Sequence, residues 1–163
     1  MLENGERQVA PTVEQIRADH VARYRWAART LKPRSHVLDL ACGCGYGAHI
    51  LAEAGHRVVA MDREAEAIAY AEQHYAHPNI TYRVADAQDG GALPLVDAVV
   101  CFETLEHLEH PGILLNRFRG VAPVLLASVP NEEKFPFRGY KFHHRHYTAE
   151  EFDRLLEVGG YEV

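Results

Sequence analysis

The chain has 163 residues, enough for one domain with a single core of ordinary size. Hydrophobic residues make up 47% and charged residues 25%, an average globular balance, and no apolar run approaches the ~20 residues that cross a membrane. The formal net charge of −6 argues against a general grip on polyanions, which takes a basic face.

The start, Met1-Leu-Glu-Asn-Gly-Glu-Arg7, has neither a basic nor an apolar stretch of a secretory signal. Three cysteines, an odd number, suit a reducing cytoplasm, and the Cys42–Cys44 spacing is too short for the usual thiolate zinc pair. Thr12 with Gln15 reads as a capping box opening a helix whose apolar face runs through Val13, Ile16, His20, Tyr24, Ala27, Ala28 and Leu31, until Pro33 ends it. A strand is predicted over 36–41, then a glycine loop, then a helix over 46–54 stopped by Gly55. Further strands are predicted over 57–61, 80–84, 96–102 and 124–129, with helices over 64–75 and 112–119 between them. The 96–102 segment is almost wholly apolar, as a strand buried on both faces is. An irregular stretch over 130–147 follows, and Thr148 with Glu151 opens a last helix that ends at Gly159-Gly160. Strands alternating with helices predict an α/β fold: a Rossmann-like, doubly wound, mostly parallel sheet with helices on both faces. It forms one domain over 1–163, with 1–34 as an N-terminal arm and helix and 130–147 as an insertion on the substrate side.

Three glycines at 43, 45 and 47 lie between the first strand and its helix, where the backbone turns tightly and a ligand approaches closely. Dinucleotide-binding dehydrogenases use such a loop too, but with the spacing G-x-G-x-x-G rather than G-x-G-x-G. The acids discriminate better. Asp39 lies at the end of the first strand, Asp62 at the end of the second and Asp86 after the third. Asp62 suits a ribose diol in either case. A further carboxylate beside the loop is awkward for a pyrophosphate and suits a ligand carrying an ammonium and a sulfonium.

Val37-Leu-Asp-Leu-Ala-Cys-Gly-Cys-Gly-Tyr-Gly47, Val58-Val-Ala-Met-Asp62, Val84-Ala-Asp86-Ala87 and Ala98-Val-Val-Cys-Phe-Glu-Thr-Leu-Glu-His107 together resemble the ordered motifs of class I S-adenosylmethionine (SAM)-dependent methyltransferases. The likeness extends to the methyltransferase type 11 and ubiquinone-biosynthesis O-methyltransferase subgroup. It implies a cofactor cleft in which Asp39, Ala41, Gly43, Gly45 and Tyr46 line the methionine part of SAM. It also implies that Asp62 holds the ribose, that Asp86 with Ala87 reaches the adenine, and that Arg63, Phe102 and Glu103 are further cofactor-binding residues. S-adenosylhomocysteine (SAH) would be the product.

Phe102-Glu-Thr-Leu-Glu-His107 follows the fourth strand, at the edge where open α/β sheets bind ligands. If it turns helically, Glu103, Glu106 and His107 share one face. Those groups could hold a divalent cation such as Mg²⁺, Mn²⁺ or Zn²⁺, or supply one general base, or form a solvated helix start. Phe142-His-His-Arg-His-Tyr-Thr148 extends the likeness to RNA 3′-terminal 2′-O-methyltransferases, which implies His143 as a further metal ligand beside Glu103, Glu106 and His107. The catalytic set is then Glu106, His107 and His143, with or without a metal, and His144 and His146 are read as surface or substrate-contact residues. Lys134, Arg138, Lys141 and Arg145 could rim the site for an anionic group, or be ordinary surface.

The chemistry implied is methyl transfer from SAM to an oxygen or nitrogen nucleophile of a small molecule or nucleotide-linked metabolite. An RNA end acted on with a metal, or a SAM-binding subunit without catalysis, are the alternatives. The family fold has seven strands, and this chain ends at Tyr161-Glu-Val163 as a sixth would begin. The fifth strand is thereby left as an apolar edge, which implies a truncated chain, a homodimer through that edge, or some other cover.

Overall fold

The computed structural model describes residues 7–163. The reading of the N-terminus as free of a secretory signal, and the first residues of the 1–34 arm, lie outside them.

A 3₁₀ turn (Val13–Gln15) and helix α1 (Ala18–Thr30) precede strand β1 (His36–Leu40). Then come α2 (Tyr46–Glu53), β2 (Arg57–Asp62), α3 (Ala65–His74), β3 (Ile80–Val84) and β4 (Ala98–Phe102). A second 3₁₀ turn (Leu105–His107), α4 (Pro111–Arg119), β5 (Val124–Ser128) and α5 (Ala149–Val158) complete the order. The five strands form one parallel sheet in the order β3-β2-β1-β4-β5, which confirms the doubly wound α/β expectation. Strand order reverses between β1 and β4, so the crevice at the C-terminal ends of those two strands is the switch point where such sheets take ligands.

Strand alternation divides the core. Val37, Val58 and Val100 face α1 and α2 with Tyr24, Leu31 and Leu51. Leu38, Leu40, Val59 and Val99 face the opposite layer with Leu115 and Phe118. Every residue of β4 is buried, as its unbroken apolar run predicts. Gly55 ends α2 at φ 91, and Thr148 with Glu151 forms the predicted capping box of α5.

Two elements depart from expectation. The helix predicted from Thr12 breaks: Ile16 is extended at ψ 145, and α1 begins only at Ala18. The Thr12 hydroxyl meets the Gln15 side chain at 3.5 Å rather than a backbone N–H, while Ile16 is buried with Ala10 and Val21. Burial of one isoleucine outweighs a weak cap. The strand expected at Tyr161 is not formed; Tyr161 instead packs on the α4–α5 side and its hydroxyl points to Leu115 O at 3.4 Å. Strand β5 is therefore an edge of the sheet among the described residues. No helix among them is long and apolar enough to cross a membrane.

Candidate active site

The glycine loop leaves β1 through Ala41 at φ 56, Gly43 at φ 55 and Gly45 at φ 88. At Gly45 a side chain is excluded twice over. The backbone is left-handed, and a Cβ would lie 2.5 Å from the Ala71 Cβ and 2.8 Å from the Tyr82 hydroxyl. Gly47 answers a different need: the Tyr24 ring of α1 packs flat on it, 2.1 Å from where a Cβ would sit. The third glycine thus admits a helix, not a ligand.

Asp62 ends β2 with both oxygens engaged. Oδ2 accepts the Gly43 N–H at 2.9 Å, and Oδ1 accepts the Glu64 N–H at 2.9 Å and the Arg7 guanidinium at 3.4 Å. Asp86 accepts the Gln88 N–H at 2.8 Å. A cleft at the switch point is walled at one end by Ala41, Gly43, Tyr46, Asp62, Arg63, Asp86 and Ala87, and at the other by Phe102, Glu103 and His107. Asp39 and Gly45 stand behind this lining. Asp39 is fully buried; one oxygen accepts the Tyr24 hydroxyl at 3.0 Å and Oδ2 meets no donor among the described residues. Burial, with the Asp62 charge adding to it, pushes its carboxyl up to about 7 against the opposing Tyr24 hydrogen bond.

Past β4 the backbone of Glu103 takes φ 50, and the chain does not continue as a helix. The expectation that Glu103 shares a face with Glu106 and His107 is corrected here. The left-handed turn sends the Glu103 carboxylate to Ser128 Oγ at 2.8 Å and to Arg23 of α1 at 3.2 Å. The following 3₁₀ turn carries Glu106 inward, fully buried, with neither carboxylate oxygen bonded to a described residue. Burial, then the Glu103 charge, pushes its carboxyl up to about 8.

The segment 130–147 closes over this turn. Its ends pair at Asn131 and Tyr147, and the His144 N–H donates to Glu106 O at 2.8 Å. His107 Nδ1 lies 2.8 Å from Phe142 O, and a carbonyl only accepts, so Nδ1 carries the proton. The His107 and His143 rings meet edge to face at 4.6 Å, and Glu106, His107 and His143 each offer a ligand atom within 4.8 Å of the others. Glu103 is outside this group. Of the basic rim, Arg145 is engaged by Glu151 at 3.2 Å and by the Tyr147 ring, and Lys141 lies over Phe142.

Residues 37–123, more than half of the chain, match the sequence profile of a methyltransferase domain. The chain belongs to this methyltransferase family. A Mycolicibacterium smegmatis protein assigned as an S-adenosylmethionine-dependent methyltransferase is 36% identical over 138 residues, covering 78% of this chain and 52% of its own. A ubiquinone biosynthesis O-methyltransferase of Xanthomonas campestris is 32% identical over 112 residues, covering 66% of this chain and 45% of its own. The chain spans about half the length of the curated relatives it matches. A Bacillus halodurans structure assigned as a methyltransferase superposes with a TM-score of 0.72 at 21% identity, over 89% of this chain and 70% of that one, and establishes the shared fold.

In this methyltransferase domain the structure gathers the sequence-chosen residues into one cleft with a cluster at its far end, apart from Asp39 and Gly45 behind the wall. Sequence reasoning missed Tyr24, His20 and Arg23, which α1 brings to the same place: Tyr24 and His20 line the cleft, and His20 meets the Tyr46 hydroxyl at 3.1 Å. His20 and Tyr24 read in the sequence as part of an apolar helix face and Arg23 carries no signal there; only the packing of α1 on Gly47 reveals them. The His143–His146 contact at 2.7 Å was also missed, although the i, i+3 spacing of the two imidazoles hinted at it.

Proposed function

We propose that this domain binds SAM in the switch-point cleft and directs methyl transfer to a hydroxyl or amine of a small molecule or nucleotide-linked metabolite. One observation carries the reading: His107, a member of the Glu106–His107–His143 cluster, lines the same cleft as Gly43, Asp62 and Asp86. SAM, when bound, supplies a methyl group already activated by its sulfonium. Asp62 is fixed by backbone donors and keeps lone pairs for a ribose diol, and Asp86 with Ala87 stands where an adenine edge would lie. Tyr46 and Phe102 exclude water from the wall, which strengthens every polar contact inside. Asp39 adds negative charge behind the loop, suited to a cationic ligand.

At the far end Nε2 of His107, 3.9 Å from Glu106 Oε1, carries the ring's lone pair while Nδ1 holds the proton, and is the nitrogen suited to accept the acceptor's proton. Glu106, raised to about 8, is a poor base by itself at neutral pH. A buried carboxylate without a hydrogen-bond donor among the described residues, next to two imidazoles, is instead the donor set of a divalent cation such as Mn²⁺, Mg²⁺ or Zn²⁺. Glu106, His107 and His143 would hold it, and it would supply Lewis-acid polarisation of an acceptor oxygen. The segment 130–147 forms the substrate side. An RNA end is a second acceptor class, favoured only by the Glu/His cluster. The three free, buried cysteines support a reducing cytoplasm. The uncovered β5 edge, with Val124 and Trp26 exposed beside it, supports pairing of two copies.

Thermal melts of the chain with SAH or NAD test the cofactor. SAH is expected to raise the melting temperature and NAD to leave it unchanged; the reverse would overturn the reading.

A further inference from the structure

We propose that His146 is a positioning residue: it fixes His143, which clusters with Glu106 and His107, in the tautomer that carries its proton on Nδ1 and its lone pair on Nε2. This rests on the reading of that cluster as the reactive end of the cleft. His146 is buried, and its Nδ1 lies 2.5 Å from Phe135 O. A carbonyl oxygen only accepts, so this nitrogen carries a proton. The other ring nitrogen, Nε2, lies 2.7 Å from His143 Nδ1. One hydrogen must lie between the two. In the neutral His146 ring Nε2 is the acceptor, so His143 Nδ1 is the donor and the lone pair of His143 is placed on its Nε2.

His107 reaches the same state by a shorter route, with its Nδ1–H donated straight to Phe142 O at 2.8 Å. Both imidazoles of the cluster therefore hold their proton at Nδ1 and their lone pair at Nε2, one through a carbonyl and one through an imidazole that is itself fixed by a carbonyl. Such outer partners set ring orientation and donor strength for a base or a metal ligand alike. The His146 ring is held flat against Tyr140, 5.2 Å away at an interplanar angle of 20°, with Phe137 edge-on at 5.5 Å. In the opposite tautomer the His143 lone pair would lie at Nδ1 and Nε2 would carry the proton, so Nε2 could serve neither role.

Long-range ¹H–¹⁵N spectra of the ¹⁵N-histidine-labelled chain test this without a substrate. Nδ1–H tautomers are expected for both His143 and His146. An Nε2–H tautomer of His143 overturns the proposal. So does a doubly protonated His146, because it offers His143 no acceptor. Mn²⁺ titration followed by electron paramagnetic resonance gives the second arm. His146→Phe keeps the ring packing and is expected to mix the His143 tautomers and weaken Mn²⁺ binding by about 10–100-fold. His146→Gln, which retains a donor and an acceptor, is expected to recover most of the loss. A purely structural His146 would shift the melting temperature in both variants and leave the His143 spectrum and Mn²⁺ affinity alone. If the wild type takes up no Mn²⁺, the metal reading fails while the tautomer spectra of wild type and His146→Phe still decide the role of His146.

Discussion

At the glycine-loop end of the cleft both oxygens of Asp62 meet backbone N–H groups, whereas at the far end both oxygens of Glu106 are buried without a donor among the described residues. The first carboxylate is finished: regular βα turns supply its partners from the residues next to it and from the loop of the neighbouring strand. The second has no such donor among the described residues, and sits on a 3₁₀ turn after a left-handed Glu103, under a segment anchored by long-range contacts. An acid whose needs are met by the fold can wait for a neutral diol. An acid left unsatisfied costs stability and marks a place where something else is expected to arrive.

Exchange of Glu106 for Gln attacks that contrast at its most expensive point. Gln keeps the volume but can neither ionise nor supply a carboxylate to a cation, so a loss of turnover on the order of 10²–10⁴-fold is expected with the fold retained. SAM-to-SAH conversion with a panel of small hydroxyl acceptors measures it, and calorimetry shows whether SAH still binds as in the wild type. Turnover within a few-fold of wild type would make the orphan carboxylate a packing accident.

Gly45→Ala attacks the finished end. A left-handed backbone costs an L-residue about 1–2 kcal/mol, and the clash with Ala71 adds overpacking of about 1–3 kcal/mol. A drop of about 2–5 kcal/mol in urea unfolding is expected, with loss of SAH binding. Gly43→Ala has the same φ penalty but open space ahead of its Cβ, with nothing nearer than the Arg7 side chain at 3.9 Å. It should therefore destabilise less while still obstructing the cleft. Equal destabilisation by the two would show that the loop is not pinned at Gly45.

This difference between the two ends also governs what the sequence discloses. Strand alternation, the all-apolar β4 and the acids at the ends of β1, β2 and β3 are local patterns, and the sheet, the loop and the placement of Asp62 and Asp86 follow from them. The Glu103–His107 segment was legible as chemistry but not as geometry. Its residue types announce ligands, while the partners that the left-handed Glu103 meets, Ser128 on β5 and Arg23 on α1, are both distant in sequence. The break of the first helix at Ile16 has the same origin, since burial with Ala10 and Val21 is a tertiary fact that no capping pattern contains. Asp39 reads naturally as a ligand contact and is instead covered by Tyr24.

Asp39 sharpens the comparison through pH. Its carboxyl ionises near 7 in the folded chain and near 3.9 when unfolded, so the folded state holds the proton more tightly. That contribution to stability is complete below about pH 4 and is lost as the pH rises towards 7. Asp39→Asn keeps an acceptor for the Tyr24 hydroxyl and carries no charge. Its melting temperature should exceed that of the wild type at pH 8 by an amount that shrinks as the pH falls to 4, while SAH affinity falls at pH 8. Parallel pH curves for the two proteins would show that Asp39 is already neutral or already solvated.

The smallest effect is expected where the two ends are tied together. Arg23 reaches from α1 to Glu103 at 3.2 Å and to Asp19 at 3.2 Å, with about a quarter of its side chain exposed. Exposed pairs of this kind contribute roughly 0–1 kcal/mol and are screened by salt. Arg23→Gln should therefore lower the melting temperature by no more than about 4 °C, with the difference shrinking further in high salt. Ser128 still holds the Glu103 carboxylate in that variant, so the left-handed turn and the position of Glu106 beyond it should persist. SAH affinity then stays within a few-fold. A tenfold or larger loss, insensitive to salt, would mean that Arg23 acts on the ligand directly and that α1 is part of the binding surface rather than its support.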